Sequence, residues 1–112
     1  MFEKNLQIGV LLDFYGDILP EKRRDLLDLY YNDDLSLSEI ADEAGVTRQA
    51  VREAIKKTEA ELLFYEEKLG LLRRFTEAQA CAGRIRTMCG ETPGILPDGL
   101  REEIERLTGI LA

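Results

Sequence analysis

The chain has 112 residues, 45% hydrophobic and 33% charged, which suits one domain, or one domain with an appendage, and excludes a disordered chain. It carries 22 acidic and 15 basic residues, for a formal net charge of −7, which argues against a strong non-specific grip on a polyanion. It has no histidine, which is the usual general base at neutral pH and the commonest metal ligand. Since it also has no phosphate-binding glycine loop and no nucleophile motif, the sequence predicts no enzyme, no metal and no cofactor.

Two helices are predicted in the first third of the chain. The first covers about residues 4–15 and ends at Gly16, because apolar residues recur every four positions along one face. These residues are Leu6, Val10 and Phe14, with Leu11 and Leu12 widening the stripe. The second covers about residues 20–31, starting at a proline that suits the first helical position, and a turn follows at residues 32–34.

The next two helices form a helix-turn-helix pattern over "IADEAGVTRQAVREAIKK", residues 40–57. Ser36, followed three residues later by Glu39, predicts a capping box at the start of a short third helix. Gly45 allows a sharp left-handed turn, and Thr47 then caps the fourth helix. The apolar corner between the two helices is predicted at Ile40, Ala41, Val46, Val51 and Ile55.

The fourth helix is predicted to be long, reaching about residue 70 or 75, with a heptad-like apolar seam. The seam consists of Val51, Ile55, Thr58, Leu62, Tyr65, Leu69 and Leu72. Its later part extends beyond the domain and needs a partner, either the chain's own C-terminal helices or a second copy. We favour a homodimer, with the predicted dimerisation residues Leu62, Tyr65, Leu69 and Leu72.

The start of the fourth helix is the basic island of the chain. Residues 47–57 carry 4 basic residues and 1 acidic residue, whereas residues 1–46 carry 4 basic and 11 acidic. In a complex, Arg48, Gln49 and Arg52 would face base edges and Lys56 a phosphate. Thr47, at the helix N-terminus, would help hold a phosphate through its backbone N–H. The predicted nucleic-acid contacts are therefore Thr47, Arg48, Gln49, Arg52, Lys56 and Lys57. The alternative is a solvated helix face, partly paired to acidic neighbours.

The C-terminal third is predicted to hold a loose helix after residue 75, a loop over residues 91–99 and a last helix over about residues 100–111, which Asp98 caps. This gives a helix-turn-helix domain at residues 1–75 and a helical extension at residues 76–112, serving in packing or dimerisation. Cys81 and Cys89 are spaced for neither a redox pair nor a zinc site. We expect them to be reduced cytosolic thiols, with a regulatory thiol as the alternative.

The blocks "YYNDDLSLSEIA" and "VTRQAV", with "IKK" and "YEEKLGL" further on, resemble the YlxM-like family of small bacterial helix-turn-helix proteins. The resemblance covers roughly residues 5–72. It implies a fold similar to region 4 of sigma factors, which binds DNA. Genes of this family lie beside that of the signal recognition particle GTPase, so the resemblance also implies a role in that pathway, with components of the particle as partners, or in regulation.

The sequence thus predicts an all-α protein with a sigma-factor region 4-like helix-turn-helix bundle, a long fourth helix and a C-terminal helical extension. The predicted function is nucleic-acid binding in regulation, with DNA or RNA as the partner. The alternative is an adaptor that docks a protein or an RNA–protein particle, and the acidic first two helices serve either solubility or that docking. No segment reaches the ~20 apolar residues of a membrane span, so we expect a soluble, cytoplasmic protein without membrane insertion.

Overall fold

A computed structural model describes residues 4–91, 97 and 99–112, and within these residues the chain is helical with no strand. The helices are α1 (Leu6–Tyr15), a 3-10 turn (Gly16–Ile18), α2 (Glu21–Tyr31), α3 (Leu37–Ala44), α4 (Arg48–Leu69), α5 (Leu71–Glu91) and α6 (Leu100–Leu111). The predicted all-α class is therefore confirmed. The chain divides into two compact units, Met1–Gly70 and Leu71–Ala112. The boundary predicted from the sequence lies five residues later, after residue 75.

The first unit packs α1, α2 and α3 against the long helix α4. Its core consists of Ile8, Leu11, Leu12, Tyr15, Leu19, Leu27, Tyr30, Leu37, Ile40, Ala41, Val51, Ile55 and Leu62. Thr58 lies among them fully buried, and its hydroxyl donates to the Ala54 carbonyl at 2.8 Å, so no polar atom is left unsatisfied there. The predicted core side of α4 is thus buried within one chain as far as Leu62.

The apolar stripe predicted for α1 is confirmed at Leu11 and Leu12 and wrong at Leu6 and Val10. Leu6 is 85% exposed and Val10 is 43% exposed. The buried residues of α1 are Ile8, Leu11, Leu12 and Tyr15, an i, i+3, i+4, i+7 set. Because α1 is apolar on nearly every side, periodicity alone does not select the face that packs inward.

Helix α4 ends at Leu69, because Gly70 adopts a left-handed conformation with φ 62° and its N–H bonds to the Glu66 carbonyl. Helix α5 begins one residue later. The heptad spacing that links Leu69 to Leu72 assumed one continuous helix, and that assumption is wrong. A left-handed residue redirects the chain, so positions before and after it do not share one helix face.

The second unit is an antiparallel pair of helices. Gln79 donates to the Leu111 carbonyl at 2.9 Å, and Arg86 pairs with Glu105 at 3.0 Å. The last helix has the predicted bounds, while the predicted cap at Asp98 lies outside the described residues. Both cysteines are free thiols, Cys81 exposed and Cys89 half-buried. Across the described helices, no segment has the length and apolar character needed to cross a membrane.

Candidate nucleic-acid interface

The turn between α3 and α4 is built by three local devices. Ser36 accepts from the Glu39 N–H and Glu39 accepts from the Ser36 N–H, so the predicted capping box is confirmed. Gly45 adopts φ 70°, a left-handed conformation in which an L side chain is strained. Thr47 then caps α4, and its hydroxyl accepts from the Ala50 N–H at 3.0 Å. These devices fix where α4 begins.

The apolar corner of the motif forms with one exception. Ile40, Ala41, Val51 and Ile55 are buried as predicted, and they hold α3 and α4 together. Val46 is 51% exposed, so the prediction that it seals the corner is wrong. Its N–H instead bonds to the Ala41 carbonyl at 3.1 Å, which closes the backbone turn and leaves the side chain facing water.

The six residues predicted to contact nucleic acid are all exposed: Thr47, Arg48, Gln49, Arg52, Lys56 and Lys57. They belong to the cap and the first three turns of α4, in which Val51 and Ile55 are buried. We call them the basic face. Four cations within three helical turns, with one acidic residue among them, give this face a positive potential on an otherwise acidic chain.

Backbone groups add to the positive end of α4. The cap satisfies the N–H of Ala50, and the N–H of Val51 bonds to the Thr47 carbonyl at 3.1 Å. The N–H groups of Arg48 and Gln49 lie in the first helical turn, where no carbonyl of the helix can accept from them. An exposed helix start of this kind attracts phosphate through these N–H groups and the helix dipole.

One side chain on the basic face is already held by a neighbour. The Gln49 amide donates to the Glu53 carboxylate at 3.1 Å, an i, i+4 pair along α4. This pair presents an amide oxygen and a carboxylate oxygen to a ligand, groups that accept from the amino groups of adenine or cytosine. Glu53 therefore lies beside the basic face, and its charge opposes phosphate.

A cleft of about 340 Å³ extends the basic face toward the N-terminus. It is lined by Lys4, Tyr30, Asp34, Leu35, Ser36, Leu37 and Arg48. Lys4 pairs with Asp34 at 3.0 Å and lies 4.5 Å from the centre of the Tyr30 ring. Lys4 is not among the residues predicted from the sequence, because only the tertiary fold brings it to the same cleft as Arg48.

Three polar contacts fix α4 against α1 and α2. Tyr31 donates to Glu59 at 2.9 Å, Tyr15 donates to Glu66 at 2.7 Å, and Arg23 pairs with Glu61. None of these residues is predicted from the sequence to have a role, since acidic residues on a long helix usually face solvent. Because the contacts lie C-terminal to the basic face on the same helix, they orient that face against the rest of the first unit.

The Tyr31–Glu59 contact carries shifted titrations. Burial raises the pKa of the Glu59 carboxyl above its ordinary value of 4.5, against the opposing effects of the Tyr31 hydrogen bond and the charge of Lys56. Burial, and then the hydrogen bond to Glu59, raise the pKa of the Tyr31 hydroxyl. The Tyr31 hydroxyl therefore stays protonated at neutral pH and donates to the Glu59 carboxyl.

Glu59→Gln is expected to become more stable relative to wild type as pH rises from 4 to 7. A carboxyl whose pKa is higher in the folded state favours folding below its unfolded pKa, near 4.5, and loses that contribution as pH rises. The amide cannot ionise and still accepts from Tyr31. Thermal unfolding of both proteins across this range tests the sign. Glu67→Gln, at an exposed position of α4, is the control for lost negative charge. If the stability of the wild type rises relative to that of Glu59→Gln as pH increases, the expectation is wrong.

The four predicted dimerisation residues lie in different surroundings. Leu62 is fully buried in the core of the first unit, and the half-buried Tyr65 ring lies 5.9 Å from the Tyr15 ring. Leu69 is 47% exposed at the end of α4, and Leu72 is half-buried in α5. The four therefore form no single exposed stripe.

The capped α3, the left-handed turn and the exposed basic start of α4 define a helix-turn-helix protein. The family model "UPF0122: Putative helix-turn-helix protein, YlxM / p13 like" matches residues 2–92. UPF0122 proteins of Bacillus cereus strain AH187, Bacillus anthracis strain A0248 and Bacillus thuringiensis subsp. konkukian are each 48% identical to this chain over 91 residues. These matches cover 81% of this chain and 83% of each relative. The chain belongs to the UPF0122 family, which confirms the resemblance, and α6 lies beyond the matched residues.

Proposed function

We propose that the protein binds nucleic acid in a regulatory role, with the basic face of α4 as the contact surface. One observation carries this proposal: a stretch with four cations and one acidic residue, residues 47–57, lies exposed on the first turns of a capped helix that follows a helix-turn-helix corner. In proteins of this class, the second helix of the motif enters the major groove with its N-terminal residues against base edges. Arg48, Gln49 and Arg52 occupy those positions here, with Lys56 and Lys57 placed for phosphates.

The acidic remainder of the chain makes the expected binding selective. A net charge of −7 opposes the approach of a polyanion to the chain as a whole, so the positive potential of the basic face favours contact there. Four cations that each displace a counterion predict a slope of about −4 for the logarithm of affinity against the logarithm of salt concentration. A duplex or structured RNA that lacks the matching site should bind weakly at physiological salt.

Arg48→Ala/Arg52→Ala is expected to weaken binding by about tenfold or more and to bring the salt slope from about −4 to about −2. Affinity is measured at several salt concentrations by fluorescence anisotropy, with labelled duplex DNA and with signal recognition particle RNA. Arg74→Ala/Arg106→Ala is the matched control, because it removes the same charge from exposed positions of α5 and α6. Absence of binding at low salt, or equal binding by both double variants, would refute the proposal.

A second candidate function is that of an adaptor that docks a basic protein or an RNA–protein particle, such as the signal recognition particle to which the family resemblance points. An acidic cleft of about 460 Å³ in the first unit favours it. The cleft is lined by Asp17, Leu19, Glu21, Arg24, Asp25 and Asp28. Under this function, Asp25→Lys/Asp28→Lys should abolish binding to the particle and leave binding to naked RNA or DNA intact. Arg48→Ala/Arg52→Ala should leave binding to the particle intact and abolish binding to naked RNA or DNA.

A further inference from the structure

The second unit, Leu71–Ala112, buries very little of its own apolar surface. Among its described residues only Ala82 and Ile104 are buried hydrophobic side chains, 2% and 7% exposed. Its exposed large hydrophobic residues are Leu71, Ile85, Met88, Leu100, Leu107 and Ile110. Two helices gain most of their stability from a packed apolar face, and one layer of two side chains supplies too little. The described residues of this unit therefore leave apolar surface that a further packing partner could cover.

Helix α5 offers that partner a groove. The α6 contacts involve Gln79, Arg86 and the Cys89 carbonyl, which lie on one side of α5. On the side about 150° away, by projection at ~100° per residue, lies a largely apolar groove of about 670 Å³. It is lined by Ala80, Gly83, Arg84, Thr87, Met88 and Glu91. We call this surface the α5 groove.

The charges of the α5 groove are self-complementary. Arg84 and Glu91 are its charged residues and stand seven positions apart, about 10 Å along the helix. Two antiparallel copies related by a twofold axis near Thr87 and Met88 would place each Arg84 opposite the partner's Glu91, twice by symmetry. The groove carries no net charge, so it suits neither a polyanion nor an anionic membrane, whereas it fits its own copy.

We propose that the α5 groove is a homodimer interface that receives α5 of a second copy of this chain in antiparallel orientation. Gly83 lets the partner backbone approach closely, and Met88 fills the irregular space near the axis. This interface differs from the seam predicted from the sequence, and it does not depend on the proposed nucleic-acid binding.

Charge reversal tests the antiparallel pairing on the full chain. Wild type is expected to be a dimer by light scattering and sedimentation equilibrium. Arg84→Glu and Glu91→Arg should each raise the dimer Kd by about tenfold, because each places two like-charge pairs across the interface. The double variant Arg84→Glu/Glu91→Arg should restore wild-type Kd. Arg74→Glu, outside the groove, is the matched control and should leave Kd unchanged. A monomeric wild type, or a double variant no tighter than the single ones, would overturn the proposal.

Gly83→Leu separates the interface from folding. A Cβ at Gly83 meets no atom within 4 Å, so the side chain fits the monomer, and loss of glycine favours the helix. Filling the groove should nevertheless raise the dimer Kd by about tenfold or more while helix content by circular dichroism stays level or rises. Gly90→Leu is the control, since that position is equally open and lies outside the groove lining. Equal dimer affinity in Gly83→Leu and wild type would place the contact elsewhere.

Discussion

Leu62→Ala is expected to lower the free energy of unfolding of the first unit by about 2–5 kcal/mol, the cost of deleting a fully buried leucine from a packed core. Leu63, the next residue, is 43% exposed, and Leu63→Ala should cost less than about 1 kcal/mol. Chemical denaturation followed by circular dichroism measures both changes. The two substitutions remove the same atoms, so their difference isolates the effect of burial.

Repeating the denaturation over about a hundredfold range of protein concentration separates core from interface. A core residue lowers stability by the same amount at every concentration, because its contacts lie within one chain. An interface residue has a growing effect as dimer forms. If Leu62→Ala lowers the free energy of unfolding only at protein concentrations where the dimer forms, Leu62 belongs to the dimer seam predicted from the sequence. That result would contradict its burial in the first unit.

The turn and the caps were predictable because their physics is local. Ser36 with Glu39, Gly45 and Thr47 each satisfy backbone groups within four residues of themselves, so their spacing alone specifies the structure. The exposure of the basic face does not follow from spacing alone. Residues 48, 51, 52 and 55 have the i, i+3, i+4, i+7 spacing of neighbours on a helix, so the packing of α4 decides that Val51 and Ile55 are buried while Arg48 and Arg52 are exposed.

The predictions that are wrong concern helices in which two local sequence patterns fit equally well. In α1, two overlapping apolar faces compete, and contact with α4 selects Ile8 and Tyr15 over Leu6 and Val10. In α4, Gly70 reads as either a tolerated helical glycine or a stop, and only its left-handed conformation decides. The cleft that joins Lys4 to Arg48 and the contact of Tyr31 with Glu59 depend on tertiary packing, so no sequence window contains them.

Gly45→Val is expected to lower the free energy of unfolding by about 1–3 kcal/mol, the cost of forcing a β-branched residue into a left-handed conformation. A Cβ at Gly45 meets no atom within 4 Å, so the cost comes from backbone conformation and not from a clash. The series Asn, Ala, Val at this position should therefore destabilise in that order, because asparagine tolerates positive φ best. Thermal and chemical unfolding measure the series.

Gly9→Ala provides the matched control for Gly45→Val, since a Cβ there also has open space and the residue lies inside α1 with no left-handed conformation. It should raise stability by about 0.5–1 kcal/mol, because alanine loses less conformational freedom than glycine on forming a helix. A loss of stability in Gly45→Val and a gain in Gly9→Ala, at two equally uncrowded glycines, would show that the motif needs the left-handed conformation of Gly45. Because α4 begins directly after this turn, Gly45→Val should also weaken nucleic-acid binding at temperatures where the variant is still folded. If folded Gly45→Val and wild type bind nucleic acid equally well, the conformation of residue 45 does not affect binding.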